Sequence, residues 1–246
     1  MNKKNNDFKT SPKFKYKVYP NSPLIEVVFE IRFPGEPSIE CHRDRFYKRI
    51  RKDYPNILVP IIKEGIPLAL ESYRFEKKDQ SSGIMVSMNK LAYYSRKYQG
   101  YNDFRNKVVK IFDLFGKLFK INKLNRVGLR YINVIPFTRE EGLVPLEKFL
   151  KIKLVFPESI PNQIENLSTI FISKIKNGSI TTKLESMRTP DKGREALLLD
   201  FDYAKNENLF FQKVKCYLKE SRFHVHKIFE DLITTDYRKY LKGETL

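Results

Sequence analysis

The chain has 246 residues, enough for one large domain or two small ones in series, and 41% of them are hydrophobic, enough to bury a core. Its 47 Lys and Arg against 29 Asp and Glu give a formal charge of +18, which favours an anionic partner, although a Lys-rich, Trp-free composition is also what an AT-rich genome encodes. Two cysteines, Cys41 and Cys216, give no disulfide framework, no apolar run approaches the roughly 20 residues that span a bilayer, and no apolar segment follows the N-terminal residues Met1 to Asp7. The expectation is a cytoplasmic protein with no membrane partner.

Residues 1–18 carry six lysines and one acid, Asp7, and read as a flexible basic arm. Residues 19–136 read as an N-terminal α+β half. Its first strand, residues 24–33, alternates strictly: Ile25, Val27, Phe29, Ile31 and Phe33 on one face, and Glu26, Val28, Glu30 and Arg32 on the other. After the turn Pro34-Gly35-Glu36-Pro37, residues 42–53 read as a basic helix with a thin apolar stripe, Phe46 and Ile50, suited to the outside of a sheet. Residues 69–76 and 84–95 read as two strands of a hairpin around a polar loop. Phe104, Val108, Ile111, Phe115 and Leu118 recur at helical spacing over 102–119. A strand over 126–135 alternates Val127, Leu129, Tyr131, Asn133 and Ile135 with Arg126, Gly128 and Arg130, and Pro136 is expected to stop it.

Residues 137–165 read as a connection with a short helix near 146–150. In the second half, 166–246, Asn177-Gly178 between two strand-like runs predicts a hairpin with a type I′ turn. Residues 196–203 give a third strand. A long C-terminal helix over 208–236 carries Phe210, Val214, Tyr217, Leu218, Val225, Ile228, Phe229 and Leu232, with a kink or division expected near Glu220-Ser221-Arg222. The order predicts an α+β fold: a largely antiparallel sheet of about seven strands in two halves, with helices packed on one side.

Catalytic signatures are sparse. The three histidines, His42, His224 and His226, have no nucleophile elbow to serve, and there is no Cys-x-x-Cys, His-Glu-x-x-His, Walker loop or Gly-x-Gly-x-x-Gly. No catalytic residue, metal site or cofactor is assigned. Asp200 and Asp202 share a strand face that could hold a cation or simply be wet. A larger charged set, Glu26, Glu30, Arg32, Arg126, Arg130, Lys183, Glu185, Asp200 and Asp202, projects from predicted strands away from the core. Converging, these residues would line a polar site of the kind triphosphate-tunnel enzymes use; spread out, they are a solvated sheet face with cross-strand ion pairs. Those enzymes open with Glu-x-Glu-x-Lys. Here Val28 replaces the first acid and Arg32 the lysine.

A second set suits a polyanion. Arg43, Arg45, Lys48, Arg49, Arg51 and Lys52 lie on the first helix, Arg96 and Lys97 after a strand, and Lys110 and Lys117 on the second helix. These are candidates for neutralising phosphates, and the neighbouring Tyr47, Tyr54, Tyr93, Tyr94 and Tyr98 for stacking on bases.

Three segments together carry a resemblance: Pro23-Leu-Ile-Glu-Val-Val-Phe-Glu-Ile-Arg-Phe33, then Gly128-Leu-Arg-Tyr-Ile-Asn133, then Leu199-Asp-Phe-Asp-Tyr203 followed by His226-Lys-Ile-Phe-Glu-Asp-Leu-Ile-Thr234. The chain resembles a sporadically distributed prokaryotic family of uncharacterised proteins. The resemblance implies no reaction. The family's patchy distribution implies a place in a defence or mobile-element assembly, and its motifs single out Glu26, Glu30, Arg32, Arg130, Asn133, Asp200, Asp202, His226 and Glu230. The leading expectation is a non-enzymatic protein that binds RNA or DNA, or a nucleic-acid-bound complex. The alternatives are a tunnel-like phosphohydrolase or nucleotide binder, and a structural subunit that meets an acidic protein.

Overall fold

The computed structural model describes residues 18–60, 72–155, 157–159, 163–188, 194–207 and 209–244. The basic arm, but for Val18, and the predicted strand residues 69–71 lie outside them. In chain order the elements are β1 (Leu24–Arg32), α1 (Ser38–Ile50), β2 (Asn56–Leu58), β3 (Tyr73–Glu76), β4 (Ser82–Ser87), β5 (Lys90–Ser95), α2 (Tyr101–Phe119), β6 (Lys123–Leu124), β7 (Arg126–Phe137), α3 (Leu146–Phe149), β8 (Ser168–Ile175), β9 (Gly178–Arg188), β10 (Glu195–Lys205), β11 (Leu209–Phe210), a 3-10 turn (Phe211–Lys213), α4 (Val214–Leu232) and α5 (Thr235–Leu241).

Among the described residues nine strands form one antiparallel sheet in the order β2-β3-β4-β5-β1-β7-β10-β9-β8, and β6 and β11 form a small second one. The fold is α+β, as the element pattern predicts, with more strands than the sequence shows. The expected two halves are continuous through β7, which pairs with β1 on one side and β10 on the other.

One face of the sheet is covered by helices. There Val27, Phe29 and Ile31 of β1 meet Leu91 and Tyr93 of β5, Val127 and Leu129 of β7, and the α2 stripe Phe104, Val108, Ile111, Phe112 and Phe115, all buried. Phe29 packs on Phe112 and Phe33 on Phe115, with ring centroids 5.4 and 5.8 Å apart. A second cluster lies further along the same face, where Ile180, Leu184, Leu199 and Phe201 meet Val225 and Phe229 of α4 and Tyr237 and Leu241 of α5.

Several expectations are corrected, each for a local reason. Ile25 is not on the core face: the β1·β7 register slips between Leu24 and Glu26, so Ile25 is a bulge residue, 49% exposed, and Leu24 packs toward the core instead. The stretch 84–95 is two strands, since β4 and β5 fold back at Met88-Asn89. Pro136 does not stop β7, which pairs with β10 as far as Phe137. Val134 N–H donates to Pro23 O on the β1 flank. Pro136, two residues on, aims its nitrogen at the same flank, where β1 has already ended, so no ladder bond is lost.

Asn177-Gly178 does close a hairpin, but the turn residues are Lys176 and Asn177, and Ile175 pairs with Gly178. Neither turn residue has positive φ, so the turn is not type I′. Gly178 serves close approach instead, since a Cβ there would collide with Ala204 O. The C-terminal helix runs unbroken through Ser221, whose hydroxyl bonds back to Tyr217 O. It ends at Leu232, and α5 restarts after Thr234, whose Oγ1 caps it by accepting from Tyr237 N–H.

Candidate functional sites: a basic helix layer and a charged sheet face

The helix layer holds most of the predicted phosphate-binding residues. α1 begins at Ser38, bends at His42, where φ is −123°, and ends at Ile50, so Arg51 and Lys52 stand in the turn beyond it. Arg43 is committed elsewhere: it bonds to Glu40 at 2.6 Å and lies 3.4 Å over the Tyr73 ring. Lys48 pairs with Asp44 at 2.9 Å, and Lys110 with Asp53 at 3.9 Å. Arg45, Arg49, Arg51, Lys52 and Lys117 are exposed and make no ion pair among the described residues. Arg45, Arg49 and Lys52 follow at i, i+4 and i+7, so they form one stripe continued into the turn.

Among the described residues the expected stacking platform is absent from this surface. Tyr54, Tyr93 and Tyr94 are buried, and Tyr47 and Tyr98 are half-buried. Tyr47 stacks on Phe75, Tyr98 packs on Phe104, and Tyr93 packs on Phe104 too. Tyr47, Tyr54, Tyr93 and Tyr98 are spent on the covered face or under its rim, where apolar contact outweighs exposure, and Tyr94 lies on the opposite face of the sheet, beside Val28.

Among the described residues the opposite face of the sheet carries no helix. Register places Glu26, Val28, Glu30 and Arg32 of β1 beside Arg126, Gly128, Arg130 and Ile132 of β7, and these beside Asp200 and Asp202 of β10. Lys183 and Glu185 of β9 share the face further out, where they pair with one another. All nine residues of the predicted charged set therefore lie on one side. Seven of them crowd the sheet centre, around a depression of about 370 Å³ that six line directly, with Asp200 behind Arg130.

Its chemistry is an arginine–carboxylate lattice. Arg130 grips Asp200 with Nε at 2.9 Å and Nη2 at 2.6 Å. Arg126 bridges Glu30 at 3.0 Å and Asp202 at 2.8 Å. Arg32 bonds to Glu30 at 2.7 Å, and Arg96 to Glu26 at 2.9 Å. Arg96, read from the sequence as a phosphate contact, thus belongs to this face; Lys97 pairs with Asp79 at 3.4 Å. The Asp200 hydrogen bonds raise the Arg130 pKa, and Glu26 does the same for Arg96. Burial pushes the Asp202 carboxyl above its usual range, against the opposing pull of Arg126 and Arg130.

Small residues let long side chains lie flat here. The Arg126 guanidinium lies where a Cβ on Gly128 would be, and the Tyr94 ring covers Gly83, its hydroxyl donating to the buried Glu76. Arg74, Met85 and Tyr94 also line the depression, and the sequence reading missed them as site residues. Their signal was the parity of β3, β4 and β5, which was hidden while 84–95 was read as one strand. Arg74 is exposed and pairs with no carboxylate among the described residues.

Among the described residues the sheet is open, with β2 and β8 at its two ends, and the charged face is a shallow floor. Among the described residues no three His, Cys, Asp or Glu side chains gather as a metal-ligand set. No helix among the described residues is long and apolar enough to cross a membrane.

The remaining motif residues lie on the covered face. Asn133 is buried and donates from Nδ2 to Leu199 O at 3.0 Å. Glu230 accepts from the Tyr19 hydroxyl at 2.9 Å and from Arg238 Nε at 3.1 Å. His226 lines a small tyrosine-rich pocket with Tyr19, Tyr98 and Tyr131. No protein-family model matches the chain, and no curated protein does.

Proposed function

We propose that the protein is a non-enzymatic nucleic-acid-binding protein that grips the phosphate backbone with its helix layer. The observation that carries this reading is the row of exposed, unpaired cations on and just after α1, Arg45, Arg49, Arg51 and Lys52, with Lys117 on the neighbouring α2. Cations that no carboxylate neutralises are free to replace the counterions of a polyanion. Because the nearby aromatic rings are spent in the core, binding rests on phosphate charge and not on base stacking, so it is tolerant of sequence. The resemblance to the sporadic prokaryotic family supports placing this binding in a defence or mobile-element assembly.

The test is fluorescence anisotropy with labelled single-stranded RNA and duplex DNA across a salt series. Five phosphate contacts would cost roughly five hundredfold in affinity between ~50 and ~200 mM salt. Binding that ignores salt, or no binding at the lowest salt, overturns the reading.

A further inference from the structure

The two ends of the main sheet differ. β2 is three residues long, and short edges resist pairing. β8 is eight residues long, pairs among the described residues with β9 on one side only, and has no register shift. It holds no proline and a single charge, Lys174. Three consecutive large apolar side chains stand out of it: Ile170 is 61% exposed, Phe171 42% and Ile172 71%. Such a strand lacks the usual guards against edge-to-edge association.

Its backbone polarity is defined by the hairpin. Ile175 pairs with Gly178 across the two-residue turn, and Leu167 O accepts from Ser186 N–H at 2.8 Å. Odd-numbered residues of β8 therefore bond inward to β9. Ser168, Ile170, Ile172 and Lys174 direct their N–H and C=O outward.

We propose that β8 is a dimerisation edge that takes the β8 of a second copy of this chain, antiparallel, about a twofold axis at Phe171. That register puts Ile170 opposite the partner's Ile172, two outward-bonding residues on the same face, so their ladder bonds and their side chains both match. It also puts the partner's Lys174 opposite Ser168, whose own neighbour in β9 is Glu185. Lys174 has no carboxylate partner among the described residues, and the short Ser168 side chain leaves it a path to Glu185, which it would share with Lys183 of that copy. The pairing is self-complementary in backbone, shape and charge, as a twofold interface requires.

The full chain should run as a dimer in light scattering coupled to size exclusion, at twice the chain mass. Ile172→Pro removes one outward N–H and leaves the β9 ladder intact, so it should give a folded monomer. With Cys41 and Cys216 replaced by serine, Phe171→Cys should form an intermolecular disulfide on mild oxidation, because the two copies of residue 171 face each other across the axis. Thr169→Cys should not cross-link. A wild-type monomer at every concentration, a dimer that survives Ile172→Pro, an open-ended oligomer, or cross-linking at residue 169 instead of 171 would each overturn the proposal. The cysteine pair keeps the question answerable if Ile172→Pro fails to fold.

Discussion

The helix layer and the bare sheet face are both rich in basic side chains, yet they differ in what those side chains touch. On and after α1, Arg45, Arg49, Arg51 and Lys52 stand without ion pairs among the described residues. On the sheet face, Arg32, Arg96, Arg126 and Arg130 each hold a carboxylate. A count of basic residues treats the two alike. Local stoichiometry separates them: the first surface has charge to offer a partner, and the second has mostly used it to organise itself.

The largest effects should come from the faces of β1. Phe29, fully buried under α2, should cost about 3–5 kcal/mol on mutation to alanine. Val28, one residue away on the bare face, should cost about 1 kcal/mol or less. Chemical denaturation of the two variants checks the contrast, and equal losses would break it.

The lattice itself should respond unevenly. The Arg130 side chain is 49% exposed and the Asp200 side chain only 7%. Arg130→Ala strands a buried carboxylate and should cost about 1–3 kcal/mol, whereas Asp200→Ala lets the arginine return to water and should cost less. A reversal of that order in urea titrations would show that the acid, not the arginine, is the solvated partner.

A smaller effect belongs to His224 on the covered side, stacked on Tyr203 at 5.4 Å. Burial lowers its pKa, Lys205 adds to the lowering and Glu220 opposes it. A histidine whose folded pKa is depressed binds fewer protons folded than unfolded. Stability should therefore be full above the ordinary histidine range near 6.5 and fall as pH drops below it. His224→Phe should flatten part of that fall in thermal melts.

Much of this architecture was legible in the chain. Period-two alternation over Val27 to Phe33 gave the covered face of β1, and helical spacing from Phe104 to Phe115 gave the stripe of α2. The same alternation failed at Ile25, because a bulge is a pairing event with β7 and leaves no mark in β1 alone. Parity put the nine charged strand residues on one side, but which arginine meets which acid depends on strand order, and β5-β1-β7-β10 is not the order in sequence. The tyrosines near the basic segments were misread because composition does not say which face of a strand, or which side of a helix, a ring takes.

The proposed surface for anionic partners is the helix layer and not the sheet face. The direct measurement compares the salt dependence of duplex-DNA binding by two triple variants, Arg45→Gln/Arg49→Gln/Lys52→Gln and Arg32→Gln/Arg74→Gln/Arg96→Gln. Each lost phosphate contact removes about 0.9 from the log–log slope, so the first variant should lose about 2–3 and the second should keep the wild-type slope. A slope lost in the sheet-face variant and retained in the helix variant would contradict it.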